Sequence, residues 1–405
     1  MRIIIVGGNI NSATGDTNVV KATCHKYLNR NEVFWYPFLP VLNKTEAEGD
    51  LRIVKKNLSI ELLLDSFLQL YSWFGFIKPY IVYSPRGVAY IFITLYEKVY
   101  FSKMLKLLEP DVVHIHGLGI HTVPFIQSCN NHNIPYVVTC HGLDTLNKQI
   151  NTFYNTALEH DTLNWLLSHN IPVTVVSSSV LRKIKEGFNL PTEGIEIIQN
   201  GVDMAKFGHN LFSKEKLRMK YEISTKKFII LQVGTINKRK NHIAVLKAIK
   251  SMEDSIRNSI LYFIVGDGNE RSQLVKFIEE NGLNESVIVM GRVDDTKLID
   301  CYHLSDCFIL PSTSEGLPLV FLEALAAGLP IITFNDLDGV EELYNERCFE
   351  LMYNRTNESI VEGIRGVMRK DWDPGFITEY ARKWSWEKVC DLYMGIYLKI
   401  TSKCQ

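Results

Sequence analysis

The chain lacks the features of a secreted, membrane-spanning or nucleic-acid-binding protein. Its eight cysteines are scattered from Cys24 to Cys404 without a CxxC pair. Neither a disulfide framework nor a cysteine-rich metal site is expected, and reduced thiols in a cytoplasmic protein are. An excess of one charge is also missing: 44 basic side chains stand against 45 acidic ones, balanced in both halves, which argues against a nucleic-acid partner. The opening run has only four consecutive strong apolar residues, Ile3 to Val6, before Gly7-Gly8, so it predicts a first strand and not a signal peptide. No stretch is apolar for long enough to span a bilayer; the uncharged run Ser66 to Ile77 is too short. GxGxxG is absent after the first strand, so a dinucleotide site is not indicated. His114-x-His116 would put two imidazoles on one strand face, but no further ligand at metal spacing joins them, and no metal is expected.

What the chain does have is alternation. At 405 residues two domains are the default, and both halves read as strand followed by helix. In the first half Ile3–Val6, Glu32–Tyr36, Val112–Ile115, Tyr136–Thr139, Val173–Val176 and Ile195–Ile198 are candidate strands, with helical patterns at Val19–Leu28, Phe101–Leu108, Asn155–Leu167 and Ser179–Gly187. The second half repeats the scheme with strands Phe228–Val233, Leu261–Val265, Val287–Met290, Phe308–Leu310 and Pro330–Phe334. Helices are expected between them over Ile243–Lys250, Glu270–Glu280, Lys297–His303 and Pro318–Ala327. Such alternation predicts an α/β protein with two doubly wound parallel sheets. A linker is expected around Asp203 to Asn210.

Against this background Glu323 is conspicuous as the only charged side chain between Gly316 and Asn335. Pro318 suits a first helical turn, and Leu319, Val320, Phe321, Leu322, Leu325 and Ala326 would cover the helix all round, so it is expected to be buried on every side. A carboxylate there needs an internal cation or a polar ligand. Glu315 precedes the same helix. A second cluster, Lys238-Arg239-Lys240, follows a strand, where parallel sheets bind ligands and where a diphosphate finds positive charge; a solvated surface patch is the alternative. Asn241 is expected to cap the next helix. His141 also follows a strand, as a ligand-facing or a core histidine. The loop from Gly7 through Asp16 is rich in small residues and is either a backbone approach to a phosphate or acceptor sugar, or a plain turn. Asp336-x-Asp338 reads as a loop.

The run Glu315-x7-Glu323, flanked by Tyr302–Ser312 and Ala327–Ile332, resembles the EX7E motif of retaining glycosyltransferases of GT-B fold, the glycosyltransferase group 1 family. His114-Ile115-His116-Gly117, His141-Gly142-x-Asp144, Val173–Ser179, Ile197–Asp203 and Gly234–Lys240 are similar to further segments of that family. The resemblance implies two facing Rossmann-like domains: residues 1–205 binding acceptor, 206–380 binding nucleotide sugar, and a C-terminal helix, 381–405, crossing back to the first. It implies transfer of a hexosyl or N-acetylhexosaminyl group from a UDP- or GDP-linked sugar to a glycan or lipid-linked acceptor, with retention, in polysaccharide or glycoconjugate biosynthesis of the cell envelope. The nucleotide sugar is a substrate, so no cofactor and no metal are implied. Catalytic roles fall to His141, Glu315 and Lys240, with Glu315 and His141 at the donor sugar. Glu323 would hold the ribose, Lys240 and Arg239 the diphosphate. Gly266, Arg292 and Val293 would lie near the nucleotide, the backbone at Leu317 and Leu319 would face phosphate, and Gly8 and Gly15 would belong to the first domain's ligand loop. Thr235 departs from the pattern, standing where many members carry an arginine. A nucleotide-sugar epimerase and a non-catalytic nucleotide-sugar-binding subunit are the other readings.

Residues 58–101 are dense in aromatics, from Phe67, Tyr71, Trp73, Phe74 and Phe76 through Tyr80, Tyr83, Tyr90, Phe92, Tyr96 and Tyr100 to Phe101. With Lys78, Arg86, Lys98, Lys103 and Lys106 among or just after them, they are either an aromatic core or a surface that lies on the cytoplasmic face of a membrane.

Overall fold

A computed structural model describes residues 1–8, 15–28, 31–38, 52–54, 60–81, 85–143 and 157–402. The chain divides into two compact units, Met1–Asn200 with Trp386–Gln405, and Gly201–Ser385. In the first, runs of branched apolar residues form the strands β1 (Arg2–Val6), β2 (Glu32–Tyr36), β3 (Arg52–Ile53), β4 (Val112–His116), β5 (Tyr136–Cys140), β6 (Val173–Val175) and β7 (Ile195–Ile197). They pair in parallel in the order β3-β2-β1-β4-β5-β6-β7. Strands buried on both faces need apolar side chains at every position, and Ile3 to Val6 are wholly buried.

The second unit holds β8 (Phe228–Val233), β9 (Ile260–Val265), β10 (Val287–Gly291), β11 (Cys307–Leu310), β12 (Ile331–Phe334) and β13 (Phe349–Met352), also parallel, in the order β10-β9-β8-β11-β12-β13. In each sheet the winding reverses beside the first strand, between β1 and β4 and between β8 and β11. The loops leaving those strand pairs run apart there and open a crevice, which is where open α/β sheets hold ligands.

The doubly wound fold matches the sequence reading, and the last helix, Trp386–Ser402, belongs to the first unit. There Tyr27 donates to the Cys390 carbonyl at 3.2 Å, and Tyr393 and Tyr397 are buried. Other expectations need correction. Residues Met204–Phe207, expected as linker, form a helical turn capped by Asp203, whose Oδ1 accepts from the amides of Ala205 and Lys206 at 3.0 Å. Phe207 then packs edge-on against Tyr302, so this turn is part of the second unit. β3 and β13 were not expected, β3 because it pairs over only two residues. The helix foreseen at Phe101–Leu108 is the end of a 24-residue helix, Pro85–Leu108, and Ile60–Ile77 is a further helix. Apolar residues fall on all sides of both, so no helical period stands out.

Candidate functional site

In the second unit the crevice between β8 and β11 collects most of the residues singled out in the sequence. β8 ends at Val233, and the chain turns through Gly234 to Asn241. Gln232, wholly buried in the strand, donates from its amide to the Lys240 carbonyl at 2.9 Å and accepts from Tyr262 at 2.5 Å. The turn is thereby tied to the core. Asn237 Oδ1 takes the Lys240 amide at 3.0 Å. Asn241 caps differently from expectation: it adopts a left-handed conformation with φ 54° and its side chain makes no cap bond. Across the crevice, Thr313 donates its amide to the Arg239 carbonyl at 2.9 Å and Arg239 donates to the Ser314 carbonyl at 2.9 Å.

These ties bring both cations to one carboxylate. Lys240 Nζ lies 2.7 Å from Glu315 Oε1, and Arg239 Nη1 lies 2.5 Å from Oε2, with the Glu315 side chain only 8% exposed. The Lys240 contact lacks hydrogen-bond alignment, so Oε1 is neutralised in charge but keeps an unfilled acceptor position. Burial raises the Glu315 carboxyl, yet the two cations outweigh it and hold it below the ordinary carboxylate range. Burial, only partly opposed by Glu315, lowers the Lys240 ammonium. Fully charged, the cluster is an ion triad in which Lys240 and Glu315 are desolvated and Arg239 is partly exposed. The surface-patch reading of Lys240 is therefore wrong for this side chain; Lys238 remains exposed.

Glu323 sits apart from the triad, on the helix Leu319–Ala326. That helix is not buried all round, as its apolar sequence predicted. Phe321, Leu322, Ala324, Leu325 and Ala326 are buried, whereas Leu319, Val320, Glu323 and Ala327 are half-buried and fall on one stripe. The apolar residues on that stripe removed the sequence contrast that would have marked it. Burial raises the Glu323 carboxyl above its ordinary range against the hydrogen bond from Tyr302, whose hydroxyl donates to Oε2 at 2.7 Å. No fixed arginine or lysine pairs it among the described residues. The internal-cation reading fails for Glu323, leaving a carboxylate with room for hydroxyl donors.

Glycines shape the rest of the crevice. At Gly266, which follows β9 at φ 140°, a Cβ would lie 2.0 Å from the Gly234 carbonyl oxygen; at Gly268 it would lie 2.2 Å from that of Ile236. Only bare backbone lets the two turns stack this closely. Gly266 also donates to the Gly291 carbonyl at 2.9 Å, and beyond it Arg292 is exposed and Val293 half-buried. Leu317 is buried at the foot of the Glu323 helix and Leu319 begins it. Asp338 accepts the Glu315 amide at 3.2 Å and Asp336 pairs with Arg355 at 2.8 Å, so both hold loops. Sequence reading missed Tyr302, Gln232 and Tyr262, since a tyrosine or glutamine in an apolar run carries no signal until its partner is seen.

In the first unit, the crevice between β1 and β4 holds Gly7, Gly8 and three histidines. A Cβ on Gly7 would meet that of His116 at 2.9 Å, and Gly8 has φ 66°. Gly15 opens the helix Gly15–Leu28, and residues 9–14 lie outside the described residues. His114 stacks on His116 at 3.9 Å and has both ring nitrogens engaged, with Tyr397 at 2.6 Å and Thr139 at 2.7 Å. His116 Nδ1 lies 2.9 Å from His141 Nε2 while its own Nε2 is buried without a partner. A lone pair is cheaper to orphan than an N–H, so His116 donates and His141 accepts, which puts the His141 proton on Nδ1. Burial holds His114 down to about 3 and His116 well below the usual imidazole value, so both are neutral at pH 7. Asp144, Tyr83 and Asn155 lie outside the described residues.

Comparison with known proteins agrees with this geometry. A family described as Glycosyl transferases group 1 matches residues 213–384, and Glycosyltransferase Family 4 matches residues 74–206. The chain is 24% identical over 299 residues to an uncharacterized glycosyltransferase of Methanocaldococcus jannaschii, covering 71% of this chain and 75% of that one. It is 28% identical over 302 residues to the UDP-Gal:alpha-D-GlcNAc-diphosphoundecaprenol alpha-1,3-galactosyltransferase of Escherichia coli, covering 66% and 75%. Among solved structures, a glycosyltransferase of Rickettsia africae superposes with a TM-score of 0.75 at 17% identity, covering 98% of both chains. Anabaena HepE in complex with UDP gives 0.75 at 14% identity, covering 98% of this chain and all of that one. With both sheets and both family matches in place, residues 213–384 are a segment of the group 1 glycosyltransferase type, residues 74–206 match Glycosyltransferase Family 4, and the chain as a whole has the GT-B fold of solved glycosyltransferases.

Proposed function

We propose that the protein transfers a hexosyl or N-acetylhexosaminyl group from a nucleoside diphosphate sugar to a glycan or lipid-linked hydroxyl, with retention of anomeric configuration. The observation that carries this reading is the Arg239–Glu315–Lys240 triad beside the half-open stripe of Glu323. Two cations oppose the diphosphate and the negative charge that grows on it as the glycosyl bond breaks, in a desolvated crevice where such stabilisation is strongest. Glu323 accepts the ribose hydroxyls, and the backbone at Leu317 and Leu319 offers amides at a helix start. His141, proton on Nδ1, serves as a neutral partner for a saccharide hydroxyl. The acceptor oxygen attacks on the face from which the nucleotide leaves, its proton passing to the departing phosphate. Side chains carry the diphosphate charge, so no metal is called for. Uridine as the base is supported by the donor in the name of the E. coli relative.

The test is a panel of UDP- and GDP-linked sugars with glycan and lipid-diphosphate acceptors, read by nucleotide release and by NMR of the product's anomeric proton. Transfer with an unchanged anomeric configuration is expected. An inverted product would remove the retaining mechanism, free sugar epimerised at a ring carbon would favour an epimerase, and binding without turnover would favour a silent subunit.

We also place the protein against a membrane surface through the first unit. Leu64, Phe67, Leu68 and Tyr71 are 61%, 74%, 80% and 92% exposed and recur at helical spacing on Ile60–Ile77. Phe67 and Tyr71, with Val88 and Phe92 of the helix Pro85–Leu108, line an apolar groove of about 500 Å³ whose one charged lining residue among the described residues is Lys78. An apolar stripe this exposed, beside a groove whose described lining has a cation and no carboxylate, suits anionic lipid. The diphosphoundecaprenol in the relative's name points the same way. No described helix is long and apolar enough to cross a membrane. The aromatic segment is thus divided, with Trp73 and Phe101 in the core and Phe67 and Tyr71 exposed. Phe67→Asp with Tyr71→Asp should lose sedimentation with anionic vesicles while melting like the parent; equal recovery of both proteins would remove the membrane contact.

A further inference from the structure

The other side of the helix Ile60–Ile77 faces a second cavity, of about 610 Å³, a size typical of small-ligand sites. Every described residue around it comes from the helices Ile60–Ile77, Pro85–Leu108, Val123–His132 and Ala157–Ser168, or from Tyr80, and none of them is Gly7, Gly8 or one of the three histidines. Its chemistry differs from that of the apolar groove. Phe76, Tyr80 and Trp165 present ring surface, with Phe76 41% exposed and Trp165 half-buried. Between them stand three amides. Asn130 Oδ1 accepts from Tyr136 at 3.0 Å, which leaves its NH₂ group unused among the described residues. Gln127 and Asn131 likewise have no side-chain partner there.

Val123, Ile126 and Leu158 add apolar surface, and among the described lining residues there is one cation and one carboxylate. Lys98 lies 5.3 Å from the Trp73 ring centroid and has no carboxylate partner among the described residues. Asp161 accepts from Tyr80 at 2.9 Å. Their charges cancel, so the cavity does not select for net charge. An acyl or isoprenoid chain would strip water from three amides and an ammonium without replacing it, at about 1–3 kcal/mol for each group. A ligand that pairs apolar C–H faces with many hydroxyls satisfies both the rings and the amides.

We propose that this cavity is a second saccharide-binding site, for an uncharged oligosaccharide, separate from the sites of the transfer reaction. It extends the proposed function by giving part of a glycan a place to rest on the first unit away from the reacting end. Phe76, Tyr80 and Trp165 supply stacking surfaces, and Gln127, Asn130 and Asn131 read hydroxyls.

The full chain is titrated with maltotriose, chitotriose and mannotriose and followed by saturation-transfer NMR, with and without saturating UDP. At least one trisaccharide should bind equally well with UDP present, and Trp165→Ala should weaken it at least about tenfold. Asn131 is exposed, so Asn131→Arg fills the cavity mouth without disturbing the core and should give the same loss with an unchanged melting temperature. UDP affinity should be unaltered in both variants. Binding abolished by UDP, binding indifferent to Asn131→Arg, or no binding by any of the three sugars would overturn the proposal. None of these outcomes depends on donor turnover, so failure here and failure of the transferase reading are told apart.

Discussion

Lys240→Ala should slow sugar transfer by about 100-fold or more, the scale seen when a single group stabilising transition-state charge is removed from a dry site. The Lys240 side chain is 10% exposed and its ammonium lies 2.7 Å from Glu315, a position an exposed lysine does not share. Affinity for the nucleoside diphosphate should fall more than affinity for the nucleoside, because only the former presents the charge that Lys240 meets. Arg239 still pairs Glu315 in the variant, so the fold should survive with a stability loss below the roughly 3–5 kcal/mol of an unpaired buried charge. Calorimetric titration of the parent and variant with both ligands checks the split. Equal losses for the two ligands would move Lys240 away from the phosphates. A chelator should leave the parent's activity unchanged, and restoration by a divalent cation after chelation would show that metal, not Lys240 and Arg239, carries the diphosphate.

Glu323→Gln should separate binding from folding. The amide still accepts from Tyr302, while the ribose loses a charged acceptor worth roughly 1.5–3 kcal/mol, about a 10- to 100-fold drop in donor affinity. Stability should move the other way. Burial holds the folded-state carboxyl above its ordinary range. Between the unfolded and folded pKa values the native state therefore carries the extra proton, and stability at this site falls as pH rises through that window. At neutral pH the glutamine variant should melt no lower than the parent, and any advantage should vanish on acidification below the window. Donor affinity of the parent should decline over the same acid limb as Glu323 is neutralised. A variant that unfolds at neutral pH would mean that Glu323 serves the core.

How much of this could be read from the residues alone follows from what each feature depends on. The two doubly wound sheets were legible because a strand buried on both faces must be apolar at every position, so Ile3–Val6 and Phe228–Val233 are visible as runs. Lys240, Glu315 and Glu323 stood out because a charge in an apolar context is rare. The Glu315 ion triad was not legible, since it joins Glu315 to residues 75 and 76 positions earlier that meet it only because β8 and β11 are neighbours. The open stripe of Leu319, Val320 and Glu323 was hidden because its apolar members look like core. The histidine stack was half legible: strand periodicity places His114 and His116 on one face, but the partner of each ring comes from β5, from the residue after it or from the last helix.

Glu315 gives the resting site a counter-ion of its own. Because that carboxylate already occupies Arg239 and Lys240, the crevice offers an incoming anion a competition and not an empty positive field. A lone inorganic phosphate, with nothing else to contribute, has to displace an internal partner held at fixed distance. A nucleotide sugar brings ribose, base and sugar contacts to the same exchange and can afford it. Selectivity against the abundant small anions of a cell would then arise before any part of the sugar is read, from a carboxylate that the ligand must dislodge.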